Sequence, residues 1–205
     1  MKFFITVCAL FFFSAVQASG NKCKEVKLTS HQKEVINHSY ANGSAEDFGY
    51  TLAAIAMVES RAGEYLMNWS DPSFGIHHIL ISTAANSLGI KGHYNEVLLG
   101  QQLISDPGLS AKIAISVLRF WKASLIRRED FSWTNLWGAY NAGSNYDSSQ
   151  AREYSYKIAE KIRWLNSCYF TQDKEDYLKK IGGSYKIKKI KVKPFFEHNA
   201  LSSIE

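Results

Sequence analysis

Glu59 is the residue whose surroundings first suggest chemistry. It directly follows an apolar run from Leu52 to Val58, and such a run predicts a helix buried on nearly every side. Desolvation disfavours the charged form of a carboxylate that a helix of this kind carries into a cleft, and the retained proton suits general-acid catalysis near neutral pH. The alternative is a solvated glutamate at a helix end, paired with Arg61 or a lysine. The run alone leaves both interpretations open.

Two later motifs follow Glu59-Ser60-Arg61. Residues 74–79 read Phe-Gly-Ile-His-His-Ile, and residues 137–143 read Trp-Gly-Ala-Tyr-Asn-Ala-Gly. In this order and spacing, residues 45–165 resemble the lytic transglycosylases, bacterial enzymes of the lysozyme-like superfamily related to goose-type lysozyme. Their pattern is Glu-Ser-Arg or similar, then Gly-Leu-Met-Gln-Ile, then Ala-Tyr-Asn-Ala-Gly, of which the last is the most specific. The resemblance favours Glu59 as a catalytic acid.

The resemblance also implies roles for individual residues. Glu59 would be the single acid and base, and Tyr140 would hydrogen-bond to it and orient it. Asn141 would hold the surrounding loop or contact sugar, and Ser70 would be the substrate-contacting serine that follows the catalytic helix. The implied substrate-binding residues are Ser70, Gly75, Ile76, His78, Tyr140 and Asn141.

The motif at residues 75–81 departs from the family pattern. His78 stands where the family has Gln, Leu80 replaces a Met and Ile81 replaces a Pro. His78 is a glycan hydrogen-bond donor or simply a loop residue. Adjacent histidines point in different directions on a helix, and neither His77 nor His78 has a histidine or carboxylate partner four residues away, so no metal site is predicted.

Trp69 lies in the loop after the catalytic helix and could stack on sugar. The other four tryptophans of the chain have the helical spacing typical of core residues.

The predicted reaction cleaves the β-1,4 bond between N-acetylmuramic acid and N-acetylglucosamine without a cofactor. Protonation of the leaving oxygen and stabilisation of an oxocarbenium-like centre are both required. No motif favours Glu64, Asp71 or Asp147 as a second carboxylate. A transglycosylase needs only one, because the muramyl 6-hydroxyl attacks its own anomeric carbon and closes a 1,6-anhydro ring. The alternatives are a hydrolytic muramidase and a catalytically silent peptidoglycan-binding or assembly module.

The apolar spacing predicts a mainly α, lysozyme-like single domain over residues 19–170. Ser44 is expected to cap the second helix, with Glu46 and Asp47 in its first turn, and a polar loop is expected at residues 68–75. The predicted helices run from Thr29 to about Gly43, from Ser44 to about Gly63, from Ile79 to Leu88, from Leu109 to Leu125, from Ser132 to about Gly143, and from Ser149 to Tyr169.

The N-terminus has the features of a secretory signal. A lysine precedes an apolar stretch too short to span a bilayer, and the small residues Val16 and Ala18 fit a cleavage site after residue 18. An uncleaved anchor is the alternative. Export to the periplasm or beyond would leave Cys23 and Cys168, which we predict to form a disulfide in an oxidising compartment, with two free thiols as the alternative.

The positive charge of the chain is concentrated near its C-terminus. The 205 residues carry a formal net charge of +5, and seven lysines with no acidic residue lie between Lys179 and Lys193. Residues 171–205 therefore form a predicted basic extension, either a solvated edge strand or a segment attracted to anionic wall polymer or a membrane surface. Nucleic acid is not an expected partner of an exported protein.

The composition excludes disordered, fibrous and polytopic membrane proteins.

Overall fold

A computed structural model describes residues 26–170 of the chain. The predicted signal peptide, Cys23 and the basic extension lie outside these residues. Seven α-helices and three short strands form the described part, which confirms the mainly α prediction. In chain order they are α1 (Ser30–Ser44), α2 (Gly49–Glu59), β1 (Met67–Asn68), β2 (Ser73–Phe74), β3 (Ile79–Leu80), α3 (Ile81–Leu88), α4 (His93–Ser105), α5 (Pro107–Arg127), α6 (Trp133–Ala142) and α7 (Ser149–Trp164).

Helix α1 begins with a capping box between Thr29 and Gln32. Thr29 Oγ1 accepts a hydrogen bond from the Gln32 amide (3.1 Å), and Gln32 Oε1 accepts one from the Thr29 amide (2.9 Å). These reciprocal bonds satisfy two amides that the first helical turn leaves without partners.

The prediction that Ser44 caps the second helix is wrong. Ser44 is the last residue of α1, and its hydroxyl donates to the carbonyl of Tyr40 (2.6 Å). Helix α2 begins at Gly49, after a tight turn in which the Phe48 amide donates to the Gly43 carbonyl (2.9 Å). Glu46 instead forms a salt bridge with Arg119 of α5.

Helix α2 is the central helix of the domain, as its apolar sequence predicts. Every residue from Thr51 to Ala56 is buried, and the helix packs against α1, α5 and α7. It ends at Glu59 rather than near Gly63, because Arg61, Ala62 and Gly63 adopt positive φ angles of 50°, 56° and 90°. The left-handed conformation of these three residues turns the chain away from the helix axis.

Residues 67–80, which include the polar loop expected at 68–75, form a small antiparallel sheet with strand order β1-β2-β3. Met67 pairs with Phe74, and Phe74 pairs in turn with Ile79. Helix α3 therefore begins at Ile81 rather than at Ile79, although it ends as predicted before Gly89, whose φ is 68°. Two-residue strands are too short to show an alternating pattern in the sequence.

The C-terminal helices agree with prediction better than the middle of the chain does. Side chains of Asp106, Ser132 and Ser148 cap α5, α6 and α7, respectively. A π-helical segment, Leu165–Tyr169, follows α7 and completes the predicted span. Helix α4 was not predicted.

Among residues 26–170, no helix has the length and apolar character needed to cross a bilayer.

Candidate active site

The carboxylate of Glu59 lies at the C-terminal end of α2 and is 18% exposed. Tyr154 of α7 donates a hydrogen bond from its hydroxyl to Glu59 Oε1 (2.7 Å). The Nδ1 atom of His78 lies 3.6 Å from Glu59 Oε2. A helix on one side and the loop after β2 on the other thus hold the two carboxylate oxygens in different environments.

Tyr154 is the site residue that the sequence analysis missed. No motif in the sequence singles it out, and the residue is 7% exposed. Burial, followed by the negative charge of Glu59, raises the pKa of Tyr154 well above its ordinary value, so the phenol remains a protonated donor. A buried tyrosine on a helix that packs against α2 needs a hydrogen-bond partner, and that need is the signal that could have found it.

Tyr140 does not make the hydrogen bond that the resemblance implies. Its hydroxyl donates to the carbonyl of His77 (2.9 Å), not to Glu59. Burial, with the charge of Glu59 as a second cause, raises the pKa of Tyr140 well above its ordinary value. Tyr140 therefore fixes the backbone that carries His78, and the direct bond to the carboxylate comes from Tyr154 because α7 places its hydroxyl there.

His78 is tied to the backbone as well as facing Glu59. Its Nε2 atom lies 2.8 Å from the carbonyl oxygen of Tyr65, and its side chain is only 10% exposed. Burial on its own lowers the pKa of His78, but the interaction with Glu59 and the hydrogen bond to the Tyr65 carbonyl outweigh it, so the pKa is raised overall.

His77 has the opposite environment. Its ring is fully buried, with Nδ1 3.0 Å from the hydroxyl of Ser110 and Nε2 3.1 Å from that of Ser39. Burial, and secondarily the charges of His38 and His78, lowers the pKa of His77 to about 3. His77 is therefore a neutral, structural histidine. Within residues 26–170, no group of three His, Cys, Asp or Glu side chains could hold a metal ion.

Gly75 and Ile76 shape the backbone of the loop, and their substrate contacts stay predictions. Ile76 is 2% exposed, and its carbonyl accepts a hydrogen bond from Ser60 Oγ (2.8 Å). Gly75 has a φ of 81°, and a Cβ there would lie 2.5 Å from the Leu103 carbonyl oxygen. Only glycine fits this position without movement of the backbone.

The other predicted substrate residues lie on the surface, and no contact of theirs with Glu59 is found among the described residues. Ser70 donates from its hydroxyl to Asn68 Oδ1 (2.7 Å), and Asn141 is exposed in the last turn of α6. Trp69 is 73% exposed and makes an edge contact with Phe74 (ring centroids 5.8 Å apart). Their substrate contacts stay predictions.

The alternative carboxylates are occupied or on the surface. Glu64 accepts a hydrogen bond from Gln32 Nε2 (3.1 Å), whereas Asp71 and Asp147 are exposed. None of the three is among the described side chains that contact Glu59. Among the described residues, the site therefore has one carboxylate beside two neutral phenols and an imidazole.

Comparison with protein families gives one match. The model described as "Transglycosylase SLT domain" matches residues 38–162, a range that includes Glu59, His78, Tyr140 and Tyr154. Comparison with curated proteins and with solved structures finds no significant match.

Proposed function

This chain belongs to the transglycosylase SLT domain family, and we propose that it is a peptidoglycan lytic transglycosylase in which Glu59 is the single acid and base. The observation that carries the proposal is the environment of Glu59. Its carboxylate is largely buried, receives a hydrogen bond from Tyr154 and faces His78. General acids in glycoside cleavage occupy such partly desolvated positions.

The proposal gives the two carboxylate oxygens of Glu59 different tasks, and the contacts of Glu59 support this division. Because the Tyr154 hydroxyl donates to Oε1, the proton to be transferred resides on Oε2. Glu59 gives this proton to the oxygen between N-acetylmuramic acid and N-acetylglucosamine as the C1–O bond breaks. The ionised carboxylate then stabilises the positive charge at the anomeric carbon.

The same carboxylate completes the reaction as a base. It accepts the proton of the muramyl 6-hydroxyl while that oxygen bonds to C1, which closes the 1,6-anhydro ring and returns the proton to Glu59. No water is consumed. The attack is intramolecular, and well-oriented intramolecular reactions gain effective molarities of about 10⁵ M or more. A second carboxylate to activate water is unnecessary.

Export is part of the proposal because the substrate lies outside the cytoplasm. The signal-like residues 1–18 support it, as does the disulfide formed by Cys168, since disulfides persist in oxidising compartments. The pairing of Cys168 with Cys23 stays a prediction.

Digestion of purified peptidoglycan tests whether Glu59 is the acid. Glu59→Gln keeps the shape of the side chain but cannot donate a proton, so we expect the rate of glycan cleavage to fall by about 10²- to 10⁴-fold. Glu64→Gln is the matched control, because Glu64 is exposed and lies in the connection that follows α2. Full activity in Glu59→Gln would rule out both a transglycosylase and a muramidase that use this acid.

A further inference from the structure

The hydrogen bond between His78 and Tyr65 fixes where the imidazole carries its hydrogen. A backbone carbonyl can only accept, so the Nε2 atom that lies 2.8 Å from the Tyr65 oxygen must be the protonated nitrogen. In the neutral ring Nδ1 then has no hydrogen. Nδ1 carries one only when His78 is an imidazolium cation.

The opposing oxygen of Glu59 is restricted in the same way. Tyr154 donates to Oε1, which leaves Oε2 facing His78 Nδ1 at 3.6 Å, within ion-pair range but longer than a direct hydrogen bond. If both Oε2 and Nδ1 lacked a proton, two lone pairs would face each other in a largely buried space. One proton on either atom removes this repulsion.

The backbone of His78 shows that this position is imposed on the residue. His78 has a φ of 45°, in the left-handed region that non-glycine residues seldom adopt. The Tyr65 carbonyl and the Tyr140 bond to the preceding carbonyl hold the segment in place. Strain that surrounding contacts maintain in this way is concentrated at functional sites.

We propose that Glu59 and His78 share a single transferable proton between Oε2 and Nδ1, so that His78 is a positioning residue that keeps a proton available to the acid. The inference rests on the proposed function, and it goes beyond the family pattern, which has Gln at this position. In the cleavage step the proton leaves from Oε2 to the glycosidic oxygen. The proton of the 6-hydroxyl then restores it, so the pair carries one proton before and after each turnover.

The other groups that face the pair do not compete for this proton. Tyr154 and Tyr140, on α7 and α6, remain neutral because their pKa values are raised well above 10. His77, next to the pair in the chain, is neutral because its pKa is lowered to about 3. Arg61 is also charged, but its guanidinium contacts the ring of Tyr65, 4.8 Å from the ring centroid. These groups therefore leave Glu59 Oε2 and His78 Nδ1 as the two facing atoms between which a proton can be shared.

The pH profile of peptidoglycan cleavage tests the proposal. Glutamine at position 78 cannot take up a proton, so in His78→Gln the alkaline decline follows a carboxyl group alone. The ordinary pKa values of carboxyl and imidazole groups differ by about two units, and we expect the alkaline limb to move to lower pH by about one unit or more. His93→Gln, a change at an exposed histidine of α4, is the matched control. An unchanged limb in His78→Gln overturns the proposal.

Nitrogen NMR of the histidine-labelled protein tests it without activity and without the His78→Gln variant. The neutral ring of His78 should be the Nε2–H tautomer, and its pKa should fall in Glu59→Gln, which lacks the carboxylate. An Nδ1–H tautomer, or the same pKa in both proteins, overturns the shared proton. A protein that shows the expected NMR result but cleaves no peptidoglycan at any pH supports the shared proton and refutes the proposed function.

Discussion

The two sides of the site are built differently. The helical wall, made of α2, α6 and α7, supplies Glu59, Tyr140 and Tyr154 from regular elements, and α7 packs against both other helices. The strand lobe, residues 65–80, has only two-residue strands and depends on single contacts such as the bond from Ser60 Oγ to the Ile76 carbonyl. The wall positions the acid, whereas the lobe brings His78 to it and exposes Trp69.

Under the proposed function, this difference separates the residues that carry out the chemistry from those expected to contact the substrate. On the wall, the acid and both phenols are at least partly buried. On the lobe, Tyr65, Met67 and Trp69 are 53%, 47% and 73% exposed. Substitutions in the wall should therefore change the rate constant of the reaction, whereas those at the tip of the lobe should change binding.

The largest effect in this comparison is expected for Tyr154→Phe. The variant keeps the ring but leaves Glu59 Oε1 without its donor, and a hydrogen bond to a charged group is worth about 1.5–3 kcal/mol. We expect kcat/KM for glycan cleavage to fall by about 10- to 100-fold. Tyr156→Phe, on the exposed face of the same helix, is the control and should retain activity. Equal activities in the two variants would contradict a role for Tyr154.

An intermediate effect, on the stability of the fold, is expected at the contact between the strand lobe and α4. Gly75→Ala and Gly89→Ala both place a Cβ at positive φ, but of the two only Gly75 faces backbone at 2.5 Å. A Cβ at Gly89 would have no heavy atom of another described segment within 4 Å. Gly75→Ala should therefore lower the free energy of unfolding by about 1–3 kcal/mol more than Gly89→Ala does. Chemical denaturation measures both. Equal losses would show that the loop accommodates a Cβ at position 75 and would contradict the close contact seen in the structure.

The smallest effect is expected at the tip of the lobe. Trp69→Ala removes an exposed ring that contacts only the edge of Phe74 among the described aromatic residues. The free energy of unfolding should change by about 0.5 kcal/mol or less. If the ring stacks on sugar, KM should rise by about 2- to 10-fold with kcat unchanged. An unchanged KM would show that the indole does not contact the substrate.

The sequence predicts the helical wall better than the strand lobe for physical reasons. The apolar run before Glu59 and the capping residues Thr29 and Ser132 are local signals, and the corresponding helices form as expected. Helix α4 has no side-chain cap at Gly92, so its beginning carries no such signal. The Ser44 cap fails because the close turn between Gly43 and Phe48 leaves the hydroxyl at the end of α1.

The partners of Glu59 could not be predicted because they depend on how distant elements pack. Tyr154 is 95 residues from Glu59 in the chain, and its hydroxyl reaches the carboxylate only because α7 packs against α2. The resemblance assigned that bond to Tyr140, which is also close enough to sense the charge of Glu59. Choosing between two buried tyrosines requires coordinates.

The products of peptidoglycan digestion test the central claim most directly. Mass spectrometry of the fragments released by the wild-type protein distinguishes intramolecular attack from attack by water. A single carboxylate, Glu59, acting as acid and then as base predicts predominantly 1,6-anhydromuramic acid ends. Predominantly reducing-end muramic acid, heavier by one water, would contradict the account and identify the protein as a hydrolytic muramidase.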